Sequence, residues 1–321
     1  MTHTLKRHGA IVALFVFAAL VLLVFHLPAH ATETAIRIGW QKGSDLSVIK
    51  ARGDFQHSLE QHAISVRWIE FPAGPQMLEA LNIGGIDLGV VGETPPIFAQ
   101  AASTNLLYVS VEPPAPEGEA LLVPKSSKIN SLGDLKGKRI ALNRGSNVHY
   151  LLVRLLEKAH LNYDDVKVSY LTPPDAFAAF QNGDVDAWVI WEPYASAATA
   201  RLGARVLADA RGGVANNHQF YIASRSFAQA QPQILKFVLA RINEESLWIG
   251  SHRKMAAQII APQIDLPVDV AERALNHSSY GVAPLDAHVV ANQQRIADTF
   301  FRLKLIPKQI DVASAVWNPA R

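Results

Sequence analysis

Arg37-Ile38-Gly39-Trp40-Gln41-Lys42-Gly43-Ser44 and Arg139-Ile140-Ala141-Leu142-Asn143-Arg144-Gly145-Ser146 are one pattern written twice, 102 residues apart. Each reads as a short apolar strand opened by arginine, then an amide, a basic residue, glycine and serine. A second pair follows in the same order. Gly84-Gly85-Ile86-Asp87-Leu88-Gly89-Val90-Val91-Gly92-Glu93 matches Gly183-Asp184-Val185-Asp186-Ala187-Trp188-Val189-Ile190-Trp191-Glu192, with Asp87 and Asp186 99 residues apart. Before each lies a proline followed by apolar residues at helical spacing: Pro75, Leu78 and Leu81 in one, Pro174, Phe177 and Phe180 in the other. Proline opening an amphipathic helix, glycine closing it, then a strand, is an α/β unit.

Two such pairs in one order at nearly equal offsets predict internal duplication. The fold class expected is α/β, bilobal and periplasmic-binding-protein-like. Two doubly wound lobes would be joined by a two-strand hinge, with the ligand cleft between them. One larger doubly wound domain is the competing reading. Ligands of open α/β sheets bind outside the carboxyl ends of the strands. Facing lobes would therefore bring residues 41–44 and 143–146 to opposite walls of one cleft, together with 92–94 and 191–194. Residues 119–123 read as a strand leading into the second lobe and 219–223 as the strand returning. Lobe 1 would then take 32–122 and 223–321, and lobe 2 residues 123–222. Residues 227–260 and 269–305 read as mainly helical.

The first thirty-one residues read as a secretory signal peptide. Lys6 and Arg7 precede fifteen apolar residues, 11–25, and Ala29-His30-Ala31 is a small-x-small cleavage pattern. The apolar run is short for a membrane span, which needs about 20 residues. Cleavage near Ala31 removes two of the chain's 30 basic residues and none of its 28 acidic ones. The remainder is charge-balanced, with no footprint for nucleic acid or an anionic membrane. The chain has no cysteine, which excludes disulfides, thiolate metal sites, thiol nucleophiles and lipid attachment through cysteine. An exported binding protein without a lipid anchor is expected in a Gram-negative periplasm.

The candidate ligand-binding residues are Gln41, Gly92, Glu93, Thr94, Gly145, Ser146, Asn147, His149, Trp191 and Glu192. Ser146 stands before a helix expected near Val148, and Thr94 before Pro95. Helix N-termini carry free N–H donors and partial positive charge, so they attract anions. The two hydroxyls either donate to such an anion or only cap their helices. Trp191 stands opposite Gly92 in the repeat, which leaves room for an apolar substituent, with Trp40 and Tyr194 as possible extensions of that wall. Trp188 reads as core. Glu93 and Glu192 hold equivalent positions. They orient Gln41, a serine or a backbone N–H, or bind an ammonium group, or are solvated loop charges; no nucleophile or metal cluster accompanies them to suggest catalysis. His149 holds the loop or the ligand, or is a helix-surface histidine. Lys42 and Arg144 read as surface residues, or as residues that raise the cleft's potential.

The opening strand and loop at 36–43, Glu70-Phe71-Pro72-Ala73-Gly74-Pro75-Gln76-Met77-Leu78-Glu79-Ala80-Leu81-Asn82, Pro95-Pro96-Ile97-Phe98-Ala99-Gln100-Ala101, Val111-Glu112-Pro113-Pro114 and Asn182-Gly183-Asp184-Val185-Asp186-Ala187-Trp188 resemble the periplasmic aliphatic sulfonate-binding proteins of bacterial ABC importers. These are type II periplasmic binding proteins, related to binders of taurine, nitrate and thiamine-pyrimidine precursors. The resemblance implies capture of an alkanesulfonate between closing lobes, by a monomer that docks on an inner-membrane permease with its ATPase. It implies no catalysis, no metal and no cofactor. Enzymes of similar lobe pattern use an active-site cysteine, which this chain lacks. Two departures concern the ligand's tail. The family is serine-rich where this chain has Asn147-Val148-His149-Tyr150, and Trp40 stands where tyrosine is more usual.

Overall fold

The computed structural model describes residues 34–318. The expected signal peptide and its cleavage site lie outside the described residues.

Ten strands form two five-stranded sheets. They are β1 (Thr34–Trp40), β2 (Ile64–Glu70), β3 (Leu88–Gly92), β4 (Leu106–Val111), β5 (Glu119–Val123), β6 (Arg139–Leu142), β7 (Lys167–Tyr170), β8 (Ala187–Trp191), β9 (Arg205–Asp209) and β10 (Gln219–Ser224). The orders are β2-β1-β3-β10-β4 and β7-β6-β8-β5-β9. β1 runs parallel to β3 and β6 to β8, and a strand inserted after a crossing pairs antiparallel on both sides: β10 between β3 and β4, β5 between β8 and β9. The two lobes thus share one topology, as the duplicated sequence requires.

One clamp recurs in both. Arg37 donates its backbone N–H and its Nε to Asp87 Oδ2, each at 2.9 Å. Arg139 does the same to Asp186 Oδ2, at 2.8 and 3.3 Å. A further guanidinium nitrogen reaches the carbonyl of Gly84 in the first lobe and of Gly183 in the second. The aspartate sits in the turn before β3 or β8 and ties that turn to β1 or β6. The planar fork of arginine matches a carboxylate two bonds at a time. This explains why the arginine, the glycine and the aspartate recur together in the sequence.

β3 and the first four residues of β8 are wholly buried. Continuous apolar strands covered on both faces are the mark of a helix-flanked parallel sheet. Trp188 is fully buried among Phe180, Ala141 and Leu122, as expected. The C-terminal region is helical, as read: Arg225–Ala230, Pro232–Ser251, Arg253–Ile264, Val268–Asn276 and Ala287–Arg302. Pro232–Ser251 packs on Asp45–Arg52 of the first lobe, whereas Val268–Asn276 packs on Tyr194–Leu202 of the second.

The expected lobe boundaries need moving. β5 belongs wholly to the second sheet and β10 wholly to the first. The chain therefore crosses at 112–118 and returns at 210–218, while 122/123 and 222/223 fall inside strands. The two segments read as hinge strands are full members of the sheets they enter.

Candidate functional site

The two duplicated loops meet at a single cleft between the sheets, with a cavity volume of about 80 Å³. Ser44 and Asp45 open the helix Asp45–Arg52 on one wall, and Ser146 and Asn147 open Asn147–Lys158 on the other. The local chemistry is the same on both. Ser44 donates its hydroxyl to Gln41 O at 2.8 Å, and Ser146 donates to Asn143 O at 2.7 Å. Neither hydroxyl caps its helix. The first N–H groups of each helix have no partner within it, and on the first-lobe helix the Leu46 N–H is taken by the Asp45 carboxyl. Gln41 fixes its own loop by donating Nε2 to Val90 O at 2.9 Å.

Of the expected residues, Gln41, Gly92, Ser146, Asn147, Trp191 and Glu192 line this cleft. Glu93, Thr94, Gly145 and His149 are not among the residues that line it. Glu93 and Thr94 are completely buried under the turn into Pro95. Gly145 lies against the ring of Phe98. His149 is buried behind the loop. Its Nδ1 accepts the Gly145 N–H at 3.2 Å, so Nε2 carries the proton and meets Tyr163 Oη at 2.8 Å. Burial, assisted by the charge of Arg144, pushes the His149 pKa down to about 3. This histidine holds the loop as a neutral ring. Trp40 is buried in the first core with Ile36 and Ile38, and Tyr194 lines an outer groove instead of the cleft. Lys42 borders both cavities, and Arg144 is exposed.

Gly92 faces Asn147 across the cleft. A Cβ on Gly92 would come within 2.8 Å of Asn147 Cγ, so the small residue admits the amide and not a ligand tail. Asn147 Nδ2 donates to Glu119 Oε2 at 2.9 Å and to Asn217 Oδ1 at 2.8 Å. Beneath it, Glu93 accepts the His218 N–H at 3.1 Å. Burial raises the Glu93 pKa to about 7. Burial, then the charge of Glu93, lifts Glu119 well above the carboxylate range. The two carboxyls come from opposite lobes and are both fully buried, so they do not ionise together near neutrality.

Several cleft residues were missed in the sequence. Asp45 and Glu112 line the wall of the first lobe and share the hydroxyl of Tyr221, at 2.8 Å from Asp45 Oδ2 and 3.2 Å from Glu112 Oε1. Burial raises both pKa values, and the charge of Asp45 raises Glu112 further. The repeat carried a signal for Asp45, which stands opposite Asn147. His277, Ser278, Ser279 and Tyr280 close the cleft from a segment after Val268–Asn276, and no repeat marks them. His277 Nδ1 lies 2.7 Å from Glu192 Oε1. Glu192 also accepts the N–H and hydroxyl of Ser196, at 3.0 and 2.9 Å. The hydrogen bond to Glu192 raises the pKa of His277. The pair joins the second lobe to the helical region of the first.

Comparison with known proteins agrees with this fold. Residues 60–245 match the family described as NMT1/THI5 like. The chain is 41% identical over 312 residues to the putative aliphatic sulfonates-binding protein of Escherichia coli K12, covering 97% of each. Its structure is similar to that of the alkanesulfonate-binding protein SsuA from Xanthomonas axonopodis pv. citri bound to MOPS, with TM-score 0.85, 42% identity, and 89% of this chain and 99% of that one covered. The desulfurization enzyme DszB shares the fold alone, at 16% identity and TM-score 0.65 over 88% of this chain and 96% of the other.

Proposed function

This chain belongs to the aliphatic sulfonate-binding proteins of the NMT1/THI5-like family, and from that premise we propose that it captures an alkanesulfonate in the periplasm and delivers it to an ABC permease and its ATPase. One observation carries the reading: the opening residues of two helices, one from each lobe, line the same cleft. A sulfonate offers three acceptor oxygens and one negative charge. Backbone N–H groups at helix N-termini satisfy both without a counter-ion. The second lobe supplies the stronger half of this cradle, at Ser146 and Asn147, because Asp45 places its own carboxyl at the start of the first-lobe helix.

Three carboxyls, Asp45, Glu112 and Glu192, line the cleft. Burial favours a proton on the Asp45–Glu112 pair, and Glu192 is tied to His277 and Ser196, so their charges do not all face the ligand. The moving bodies are residues 34–111 with 219–318, and residues 119–209. Contacts made by one ligand to both would favour the closed form.

Transport without chemistry is the reading supported by the floor of the cleft. Glu93 and Glu119 are sealed from it and sit too deep for acid–base work on a ligand, and the chain has no cysteine nucleophile. Calorimetry on the exported form with methanesulfonate, ethanesulfonate, sulfate and nitrate tests the proposal. Sulfonates are expected to bind and to raise the melting temperature. Equal affinity for sulfate and sulfonates, or no sulfonate binding, would overturn it.

A further inference from the structure

The two crossings between the lobes, 112–118 and 210–218, run side by side. Ala115 donates its N–H to Asn216 O at 3.0 Å, and Glu112 donates to Gln219 O at 2.9 Å. Asn217 is buried at this junction and is tied in three directions. Its Nδ2 donates to Ala115 O on the other crossing at 2.8 Å. Its Oδ1 accepts from Asn147 Nδ2 of the second lobe at 2.8 Å. Its backbone N–H and that of His218 face the Glu93 carboxyl of the first lobe, His218 at 3.1 Å. Its φ is +51°, in the left-handed region that asparagine tolerates better than most side chains.

We propose that Asn217 is the positioning residue of the hinge: it sets the angle between the lobes and, through Asn147, tunes ligand affinity. The inference rests on the function proposed above and adds the residue that controls it. Asn147 opens the second-lobe helix of the anion cradle, and its side chain stands against Gly92 of the first lobe. Both N–H groups of its amide are spent, on Glu119 and Asn217, so its orientation is fixed from the hinge side. Rotation of one lobe about the crossings must move this amide against Gly92, against Asn217, or against both. The Asn217 amide, held to the opposite crossing, gives the rotation a defined stop.

The chain has no cysteine, so Ile83→Cys with Val206→Cys, exposed positions on the first and second lobes, takes spin labels at those two places alone. Pulsed electron paramagnetic resonance then reads the distance between the lobes with the natural hinge, with Asn217→Gly and with Gly118→Ala. Asn217→Gly keeps the positive φ and the backbone N–H but removes the amide. Gly118→Ala keeps the amide and crowds it, since a Cβ there would lie 2.9 Å from Asn217 Nδ2; a folding fault in one variant therefore does not mask the other. Both are expected to broaden the distance distribution of the ligand-free protein. Both should bind methanesulfonate about tenfold more weakly in calorimetry, because fewer molecules hold the binding-competent angle, and saturating methanesulfonate should restore the natural distance. A distribution unchanged in both variants, even with a lowered melting temperature, or a broadened one with affinity unchanged, would overturn the proposal. Failure of methanesulfonate to bind the natural hinge would overturn the function proposed above, and the ligand-free distances would still decide the role of Asn217.

Discussion

Gly43→Ala separates closure from folding. Gly43 has φ +89°, and a Cβ built there would lie 2.4 Å from Pro193 Cδ and 2.6 Å from the Glu192 carbonyl oxygen, both on the other lobe. Two costs follow. An alanine held at positive φ is strained by about 1–2 kcal/mol, whether the lobes are together or apart. The overlap with Pro193 and Glu192 exists only when they are together. Forcing extra volume into a packed contact costs about 1–3 kcal/mol, and that penalty falls on the closed form alone. At about 1.4 kcal/mol per factor of ten, ligand affinity should drop about 5- to 140-fold. Gly53→Ala is the control, since Gly53 has nearly the same φ, +85°, and nothing within 4 Å of the added carbon. Both variants should lose similar melting temperature without ligand, and only Gly43→Ala should lose affinity by calorimetry and compaction on ligand addition by small-angle scattering. Wild-type affinity in Gly43→Ala, or equal losses in the two variants, would refute the argument that this contact forms on closure.

Three further outcomes are expected. His277 has its pKa raised by Glu192, so the protonated ring favours the joined lobes: the contribution is full below the ordinary histidine value and is lost as pH rises through the raised one. Ligand affinity should fall about two- to fivefold across that window, the scale of a partly exposed ion pair, and His277→Gln should flatten the profile in calorimetry at stepped pH. Glu93 titrates near 7 in the folded chain and near 4.5 when unfolded, so the native state binds the extra proton and stability should decline between those values, by on the order of 3 kcal/mol; Glu93→Gln should remove that slope in thermal melts. Asn147→Ala leaves Glu119 and Asn217 without the amide that joins them; a loss of about 2–4 kcal/mol in denaturant unfolding is expected, and a loss below 1 kcal/mol would mean that water replaces the amide without cost.

The sequence disclosed the lobes because both solve the same local problem with the same residues. Arg37 with Asp87, and Arg139 with Asp186, tie one turn to one strand in each copy, and Ser44 and Ser146 close equivalent loops. The repeat located the loops but not the direction of each side chain. Glu93 and Glu192 are equivalent in sequence, yet the first is sealed beneath the cleft and the second lines it, because a loop has no fixed period to tell inward from outward. Trp40 was legible in retrospect: it shares a strand face with Ile36 and Ile38, both buried in the same core. His277 and its neighbours were not legible. They come from the segment that follows Val268–Asn276, outside the duplicated part, and that helix packs across to the second lobe.

The crossing of the chain also sets an order of assembly. The second sheet is drawn entirely from residues 119–209, so it can be completed as soon as that stretch has been delivered. The first sheet cannot. β3 and β4 are separated by β10, and β4 has no other strand partner in the sheet, so β4 and the second edge of β3 wait for residues 219–224. A chain arriving N-terminus first therefore finishes its second lobe before its first. During that interval β3 presents an open, wholly apolar edge, the kind of surface that pairs with the wrong chain.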